Sequence, residues 1–208
     1  MNMPYVELKA LTLICTLKPS PDASSADKMA HDLDAELQKH GIQNEFIRIA
    51  DYNVAPGVKT DMGNGDEWPM IRQKMLDADI LIIATPTWVG QMSSMALKVI
   101  ERLDAELSEK DKEGRLFTFG KVAAVAIVGN EDGAHKITAD VLQSLNDLGF
   151  SFPAQAATYW NGEAMHTVDY QDLPKIPDEV MSANKTLARN VAHLARLLKE
   201  NQYSGGES

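Results

Sequence analysis

The chain of 208 residues carries a formal net charge of −10 at neutral pH, and 44% of its residues are hydrophobic. This length and apolar content allow one α/β domain with a sizeable core. The acidity argues against nucleic acid, because phosphates need clustered lysine and arginine. No stretch reaches the roughly 20 apolar residues of a membrane span. A single cysteine, Cys15, excludes an internal disulfide and a cysteine-held iron–sulfur cluster.

The order of apolar runs predicts five strands that alternate with five helices. The strand at the centre of this prediction contains Ile80 to Ile83, a continuous apolar run typical of a strand buried on both faces in a parallel sheet. Pro86 is predicted to end that strand, because proline has no N–H for the sheet ladder. The predicted strands are 8–16, 44–50, 78–85, 121–128 and 152–160, and the predicted helices are 24–40, 67–77, 92–103, 135–148 and 177–201.

This alternation predicts a three-layer, doubly wound α/β fold with a five-stranded parallel sheet. We expect residues 1–208 to form one domain, with its core at about 8–200 and a disordered tail at 204–208. The N-terminal residues 1–9 lack a signal-peptide pattern, which together with the lone cysteine favours a cytoplasmic protein. The loop 51–69 is long for a structureless connection, so we expect a functional or interface role near Trp68.

The carboxyl ends of parallel strands share one edge of the sheet, where ligands of open α/β sheets bind. The loop after the first strand offers hydroxyls and one cation just before a helix N-terminus, a setting that suits a phosphate. The residues in question are Thr16, Lys18, Ser24 and Ser25. The alternative is ordinary helix N-capping by Asp22, Ser24 or Ser25.

Two further loops are expected at the same edge. In the second, Trp88 would stack on or flank a ring and Gly90 would allow close backbone approach, unless Trp88 only covers the helix end. In the third, Gly129 and Gly133 would free backbone N–H groups and Asn130 would offer its amide, whereas Glu131 and Asp132 would alternatively be helix N-terminal acids. The predicted ligand contacts are Pro86, Thr87, Trp88, Val89, Gly90 and Gln91 in the second loop and Gly129, Asn130, Glu131 and Gly133 in the third.

The hydroxyl-rich first loop, P-T-W-V-G-Q-M after the third strand and G-N-E-D-G-A-H after the fourth together resemble the flavodoxin-like NAD(P)H-dependent FMN reductases. The P-T-x-x-G-x-M pattern is also similar to the quinone reductases of the tryptophan-repressor-binding-protein type. The resemblance covers about 8–160. It implies a flavodoxin-like sheet of order 2-1-3-4-5, bound FMN with its ring held by the second and third loops, and a homo-oligomer such as a dimer or tetramer.

The first loop departs from this family pattern. Many relatives carry Gly-Ser-x-Arg where this chain has Cys15-Thr16-Leu17-Lys18. The phosphate contacts would then come from Thr16, Lys18, Ser24 and Ser25, which can supply the same chemistry.

The expected function is hydride transfer from NAD(P)H to FMN and on to a small acceptor such as a quinone or free flavin. The cofactor would carry the chemistry, so no catalytic side chain is predicted. An electron carrier without its own nicotinamide activity is one alternative, and a flavodoxin-fold regulatory protein that binds no flavin is another. His135 would reach the ring edge or lie on the helix surface, and the segment of His166 would overhang the pocket. The five histidines show no zinc-site spacing.

Overall fold

Five parallel strands form the middle layer of the computed structural model, which describes residues 7–164 and 166–205. The strands are β1 (Leu8–Ile14), β2 (Ile42–Arg48), β3 (Ile80–Trp88), a two-residue β4 (Gln91–Met92), β5 (Val122–Gly129) and β6 (Ala157–Asn161). The sheet order is β2-β1-β3-β5-β6, and β4 pairs antiparallel with β3 only. Apart from that short arm, the parallel strands follow the predicted order 2-1-3-4-5, so the flavodoxin-like fold is confirmed.

Helices cover both faces of the sheet. They are α1 (Ser25–Leu37), α2 (Trp68–Asp77), α3 (Ser94–Leu103), α4 (Ala134–Asp147) and α5 (Asp178–Glu200). One apolar core lies between the sheet and α1 and α5, and it includes Ile82. The other lies between the sheet and α2, α3 and α4, and it includes Ile83. Burial on both faces is why β3 has no polar alternation. No helix among the described residues is long and apolar enough to cross a membrane.

The prediction that Pro86 ends the third strand was wrong. The strand continues to Trp88, and Pro86 lies in register with Val128 of β5. Backbone polar groups alternate sides along a strand, and the carbonyl of Ala84 points toward β1, where it accepts from the N–H of Cys15. Pro86 therefore faces the same side and lacks the N–H that would reach the carbonyl of Cys15. That carbonyl accepts instead from the hydroxyl of Ser93 at 2.5 Å, so it keeps a hydrogen-bond partner.

Two other strand boundaries also differ from prediction. The second strand begins at Ile42, and residues 49–51 form a 3₁₀ turn. The last strand begins only at Ala157, because Pro153 has no N–H and Gln155 adopts a positive φ of 56°, so the preceding residues form a loop. The predicted disordered tail falls partly on residues 206–208, which lie outside the described residues.

The long loop 51–67 is held in place by Asp66 and Arg102. The two side chains are fully buried and form an ion pair of 2.8 Å. The Arg102 guanidinium also lies over the ring of Trp68, 5.6 Å from its centroid, and Trp68 is fully buried. Trp68 is therefore a core residue, and the functional or interface role expected for the loop around it stays a prediction.

Candidate functional site

A cleft of about 190 Å³ opens at the carboxyl ends of the strands. It lies where the three predicted loops meet, so their expected convergence is observed. Predicted residues that line the cleft are Thr16, Lys18, Ser24, Ser25, Thr87, Trp88, Gly129, Asn130 and Glu131. Predicted residues that do not line it are Pro86, Val89, Gly90, Gln91 and Gly133.

Three hydroxyl groups face one end of this cleft beside the N-terminus of α1. Each hydroxyl oxygen accepts a hydrogen bond from a backbone N–H. Thr16 accepts from Lys18 at 3.4 Å, Ser24 accepts from Asp27 at 3.4 Å, and Ser25 accepts from Gln171 at 3.3 Å. Since each oxygen already accepts, each hydroxyl proton is left to donate. Ser24 is the N-cap of α1, as the alternative interpretation predicted, but its proton still allows it to bind an anion.

The second loop is a tight β-hairpin between β3 and β4. Only Val89 and Gly90 lie between the paired residues Trp88 and Gln91, and both have positive φ angles, 52° and 69°. Positive φ at both positions is the type I′ geometry that fits the twist of hairpins. The hairpin places Trp88 at the cleft with 52% of its surface exposed.

The third loop is fastened to this hairpin by Glu131. One carboxylate oxygen accepts from the N–H of Val89 at 2.8 Å, and the other accepts from the N–H of Gly90 at 3.0 Å. Glu131 therefore contacts the backbone of the second loop as well as lining the cleft. Neither interpretation of Glu131 from the sequence anticipated this contact.

Two glycines of the third loop allow the same close approach. A Cβ on Gly129 would lie 2.7 Å from the Cβ of Thr87, and a Cβ on Gly133 would lie 2.9 Å from the Cα of Gly90. Contacts this short do not occur between real side-chain and backbone carbons. The two glycines are thus required by loop-to-loop packing, and only Gly129 also lines the cleft.

A segment just beyond the one expected to overhang the pocket closes another side of the cleft. Residues 167–173, here called the strap, lie between β6 and α5. Asn130 donates its side-chain amide to Asp169 at 2.6 Å, and the hydroxyl of Tyr170 donates to Asp32 at 2.8 Å. The lining residues that sequence reasoning missed are Val128, Trp160, Asp169, Tyr170 and Gln171.

Of these missed residues, only Trp160 could have been predicted from the sequence. Trp160 lies near the carboxyl end of the last strand, so the rule that places ligands at strand ends could have included it. Its ring packs on that of Tyr170, with centroids 5.5 Å apart. Strap residues 169–171 have no periodicity that predicts their position.

Two side chains that line the cleft carry buried polar atoms without a hydrogen-bond partner among the described residues. They are the hydroxyl oxygen of Thr87 and the side-chain carbonyl oxygen of Gln171. Buried polar atoms are normally paired, so such atoms beside a cleft indicate that a polar ligand completes them. Together with the three free hydroxyl protons, they suit a ligand with an anionic end and several hydroxyl or N–H groups, a description that FMN fits.

The histidines and the cysteine lie outside this cleft. His135 lies 3.0 Å from the hydroxyl of Tyr159 and lines a neighbouring groove between α4 and α5. His166 is exposed and pairs with Glu163 at 3.0 Å. Cys15 is fully buried, and burial raises the pKa of its thiol far above the usual value, as expected for a packed core thiol.

Curated relatives align with almost the whole chain. The 8-demethyl-8-aminoriboflavin-5'-phosphate synthase of Streptomyces davaonensis is 35% identical over 211 residues, which covers 95% of this chain and 80% of that protein. The divalent metal cation transporter MntH of Mycobacterium bovis is 35% identical over 199 residues, which covers 92% of this chain. The chain spans only 29% of the length of that transporter.

Solved structures give the same fold. The crystal structure of RosB with the bound intermediate 8-demethyl-8-formylriboflavin-5'-phosphate has a TM-score of 0.85 and 32% identity, and the match covers 94% of this chain and 82% of RosB. The apo NADH:FMN oxidoreductase EMOB has a TM-score of 0.62 at 16% identity, covering 91% of this chain and 89% of that one. At this lower identity the likeness supports the fold alone.

A family model, NADPH-dependent FMN reductase, matches residues 8–164. This match confirms the predicted class, an FMN-dependent oxidoreductase with FMN as cofactor and NAD(P)H as co-substrate. Because the match covers most of the sequence, the chain belongs to the NADPH-dependent FMN reductase family.

Proposed function

We propose that this chain is a reductase of the quinone or flavin type, which uses the cleft described above to hold FMN and to admit a small electron acceptor. When bound, FMN supplies the hydride chemistry between NAD(P)H and that acceptor. The observation that carries the proposal is the set of three donor hydroxyls at one end of the cleft, close to two unpartnered polar side chains.

The phosphate of FMN would bind at the start of α1. Thr16, Ser24 and Ser25 each have a proton to donate, and the helix N-terminus favours negative charge. Lys18 lines the same end of the cleft and adds a cation there. In a chain whose net charge is −10, this local group of donors is what allows an anionic ligand to bind.

The flavin ring would lie between the second and third loops. Trp88 offers an aromatic face at the cleft, while Gly129 and Asn130 line the cleft from the third loop. Thr87 and Gln171 would satisfy their unpartnered atoms with hydroxyl or N–H groups of the ligand. The task of these residues is to bind and orient the cofactor, and the open side of the cleft would admit the second substrate.

The function is tested with protein that has been loaded with FMN. We expect NADPH, added without oxygen, to bleach the visible flavin absorbance rapidly, and a quinone added next to restore it. Slow or absent bleaching in protein that retains FMN would contradict the reductase proposal and favour an electron carrier. Failure to take up FMN at all would contradict both.

Replacing Ser25 with alanine should weaken FMN binding at least about tenfold, because a hydrogen bond to a charged group contributes about 1.5–3 kcal/mol. Riboflavin has no phosphate, so its affinity should change much less, even though the contact with Gln171 is also lost. Titration of both ligands into the parent protein and the variant gives the loss of affinity for FMN relative to the loss for riboflavin. Ser144→Ala on α4 is the matched control, since Ser144 does not line the cleft. Equal losses for the two ligands would remove Ser25 from the phosphate site.

A further inference from the structure

Valine is an unfavourable residue for the first position of the Val89–Gly90 turn. Val89 is β-branched and adopts a φ of 52°, which is a true outlier for such a side chain. Its side chain does not compensate by packing, because Val89 is 87% exposed. Type I′ turns favour asparagine or glycine at this position. Something other than the local sequence must therefore hold the hairpin closed.

Glu131 is the group in contact with that turn. It lies 42 residues further along the chain, yet its two carboxylate oxygens accept from the consecutive N–H groups of Val89 and Gly90 at 2.8 and 3.0 Å. Hydrogen bonds to an ionised acceptor are about twice as strong as neutral ones. A carboxylate has an oxygen for each of the two N–H groups, whereas an amide has only one.

We propose that Glu131 is a positioning residue, which holds the Val89–Gly90 turn in its strained geometry and thereby fixes Trp88 at the cleft. Trp88 directly precedes the turn and pairs with Gln91 across it, so loosening the turn frees the aromatic side chain. The inference rests on the proposed function only where FMN is concerned. Val89 and Gly90 are predicted from the sequence to contact the ligand. Their N–H groups instead bind Glu131 and are not free to bind the flavin.

The first test is hydrogen exchange in protein without FMN. In Glu131→Gln, we expect the amide hydrogens of Val89 and Gly90 to exchange at least about tenfold faster, because only one acceptor remains. FMN should then bind about tenfold more weakly. Asp132→Asn is the matched control, since the side chain of Asp132 accepts from the N–H of Gly133 and not from the hairpin. Unchanged exchange in Glu131→Gln would overturn the proposal.

A second substitution separates positioning from direct contact with the ligand. Val89→Asn creates the Asn-Gly pair that forms type I′ turns by itself. In that background, Glu131→Gln should change FMN affinity less than about threefold, compared with about tenfold in the background of Val89. An undiminished loss would mean that Glu131 acts on the ligand directly, and the proposal would fall. Parent protein that fails to bind FMN would contradict the proposed function, whereas the exchange rates would still test the role of Glu131.

Discussion

Replacing Gly133 with alanine is expected to weaken FMN binding on the order of a hundredfold. The new Cβ would lie 2.9 Å from the Cα of Gly90 and 3.0 Å from Cγ2 of Thr87, and neither neighbour is the end of a flexible side chain. The φ of Gly133 is +150°, a conformation that residues with a Cβ rarely adopt. The third loop must therefore move away from the hairpin. If the loop stays in place, its backbone is strained by about 1–3 kcal/mol.

That movement would alter the cleft although Gly133 does not line it. The carboxylate of Glu131 would be pulled off the N–H groups of the hairpin, and Asn130 would shift relative to Asp169. The hairpin side and the third-loop side of the predicted ring site would thus change together. A hundredfold loss corresponds to about 2.7 kcal/mol, within the range of the expected strain.

Gly63→Ala is the control for the backbone part of this effect. Gly63 also has a positive φ, +71°, but no atom lies within 4 Å of its added Cβ, and it does not line the cleft. We expect Gly63→Ala to lower the free energy of unfolding by about 1 kcal/mol and to leave FMN affinity unchanged. Fluorescence titration of FMN against both variants is the measurement. Similar FMN affinity in the two variants would show that loop-to-loop packing does not determine the cleft.

The strands buried on both faces could be predicted from sequence because their pattern is local. The runs of β3 and β5 are apolar at successive positions, and each was assigned correctly as an interior strand. The end of β3 could not be predicted in the same way. Whether the strand can continue through Pro86 depends on Ser93, whose hydroxyl takes over the carbonyl of Cys15 and lies beyond the local apolar pattern.

The candidate site shows the same division. The hydroxyls before α1 and Gly129 of the third loop could be predicted, because helix N-termini and loops at strand ends have recognisable residues. The sequence predicts a loop where the structure has this hairpin, since valine before glycine opposes a type I′ turn and the group that stabilises it, Glu131, is distant in sequence. The strap was missed because its position depends on single contacts such as that between Asn130 and Asp169.

Replacing Asp66 with asparagine is expected to lower the free energy of unfolding by about 3–5 kcal/mol, because it leaves the buried charge of Arg102 without its partner. Both side chains have no exposed surface, and their ion pair is 2.8 Å long. Arg102 also donates to the carbonyls of Ala55 and Lys59 at 2.8 and 2.7 Å, so the loop 51–67 depends on the guanidinium. This loop does not line the cleft, and FMN affinity at low temperature should stay within about twofold.

A surface ion pair gives the matched control. Lys136 and Asp140 are 2.5 Å apart but about half exposed, so Asp140→Asn should cost less than about 1 kcal/mol. Urea unfolding of the two variants beside the parent protein measures the difference. A loss from Asp66→Asn as small as that from Asp140→Asn would mean that Arg102 finds other partners and that the loop does not need this pair.

The same pair predicts how the difference depends on pH. Burial acts to raise the pKa of Asp66, but hydrogen bonds from three backbone N–H groups and Arg102 outweigh it and hold the pKa below the usual value. A lowered pKa in the folded state stabilises the protein above the unfolded pKa, about 3.9 for aspartate, and this stabilisation is lost as the pH falls further. The amide introduced by Asp66→Asn cannot titrate, so the unfolding free energies of the parent and this variant should begin to approach each other below about pH 4, as the pH falls toward the folded-state pKa. A gap that stays constant from neutral pH to about pH 3 would show that the carboxylate charge contributes nothing to holding the loop.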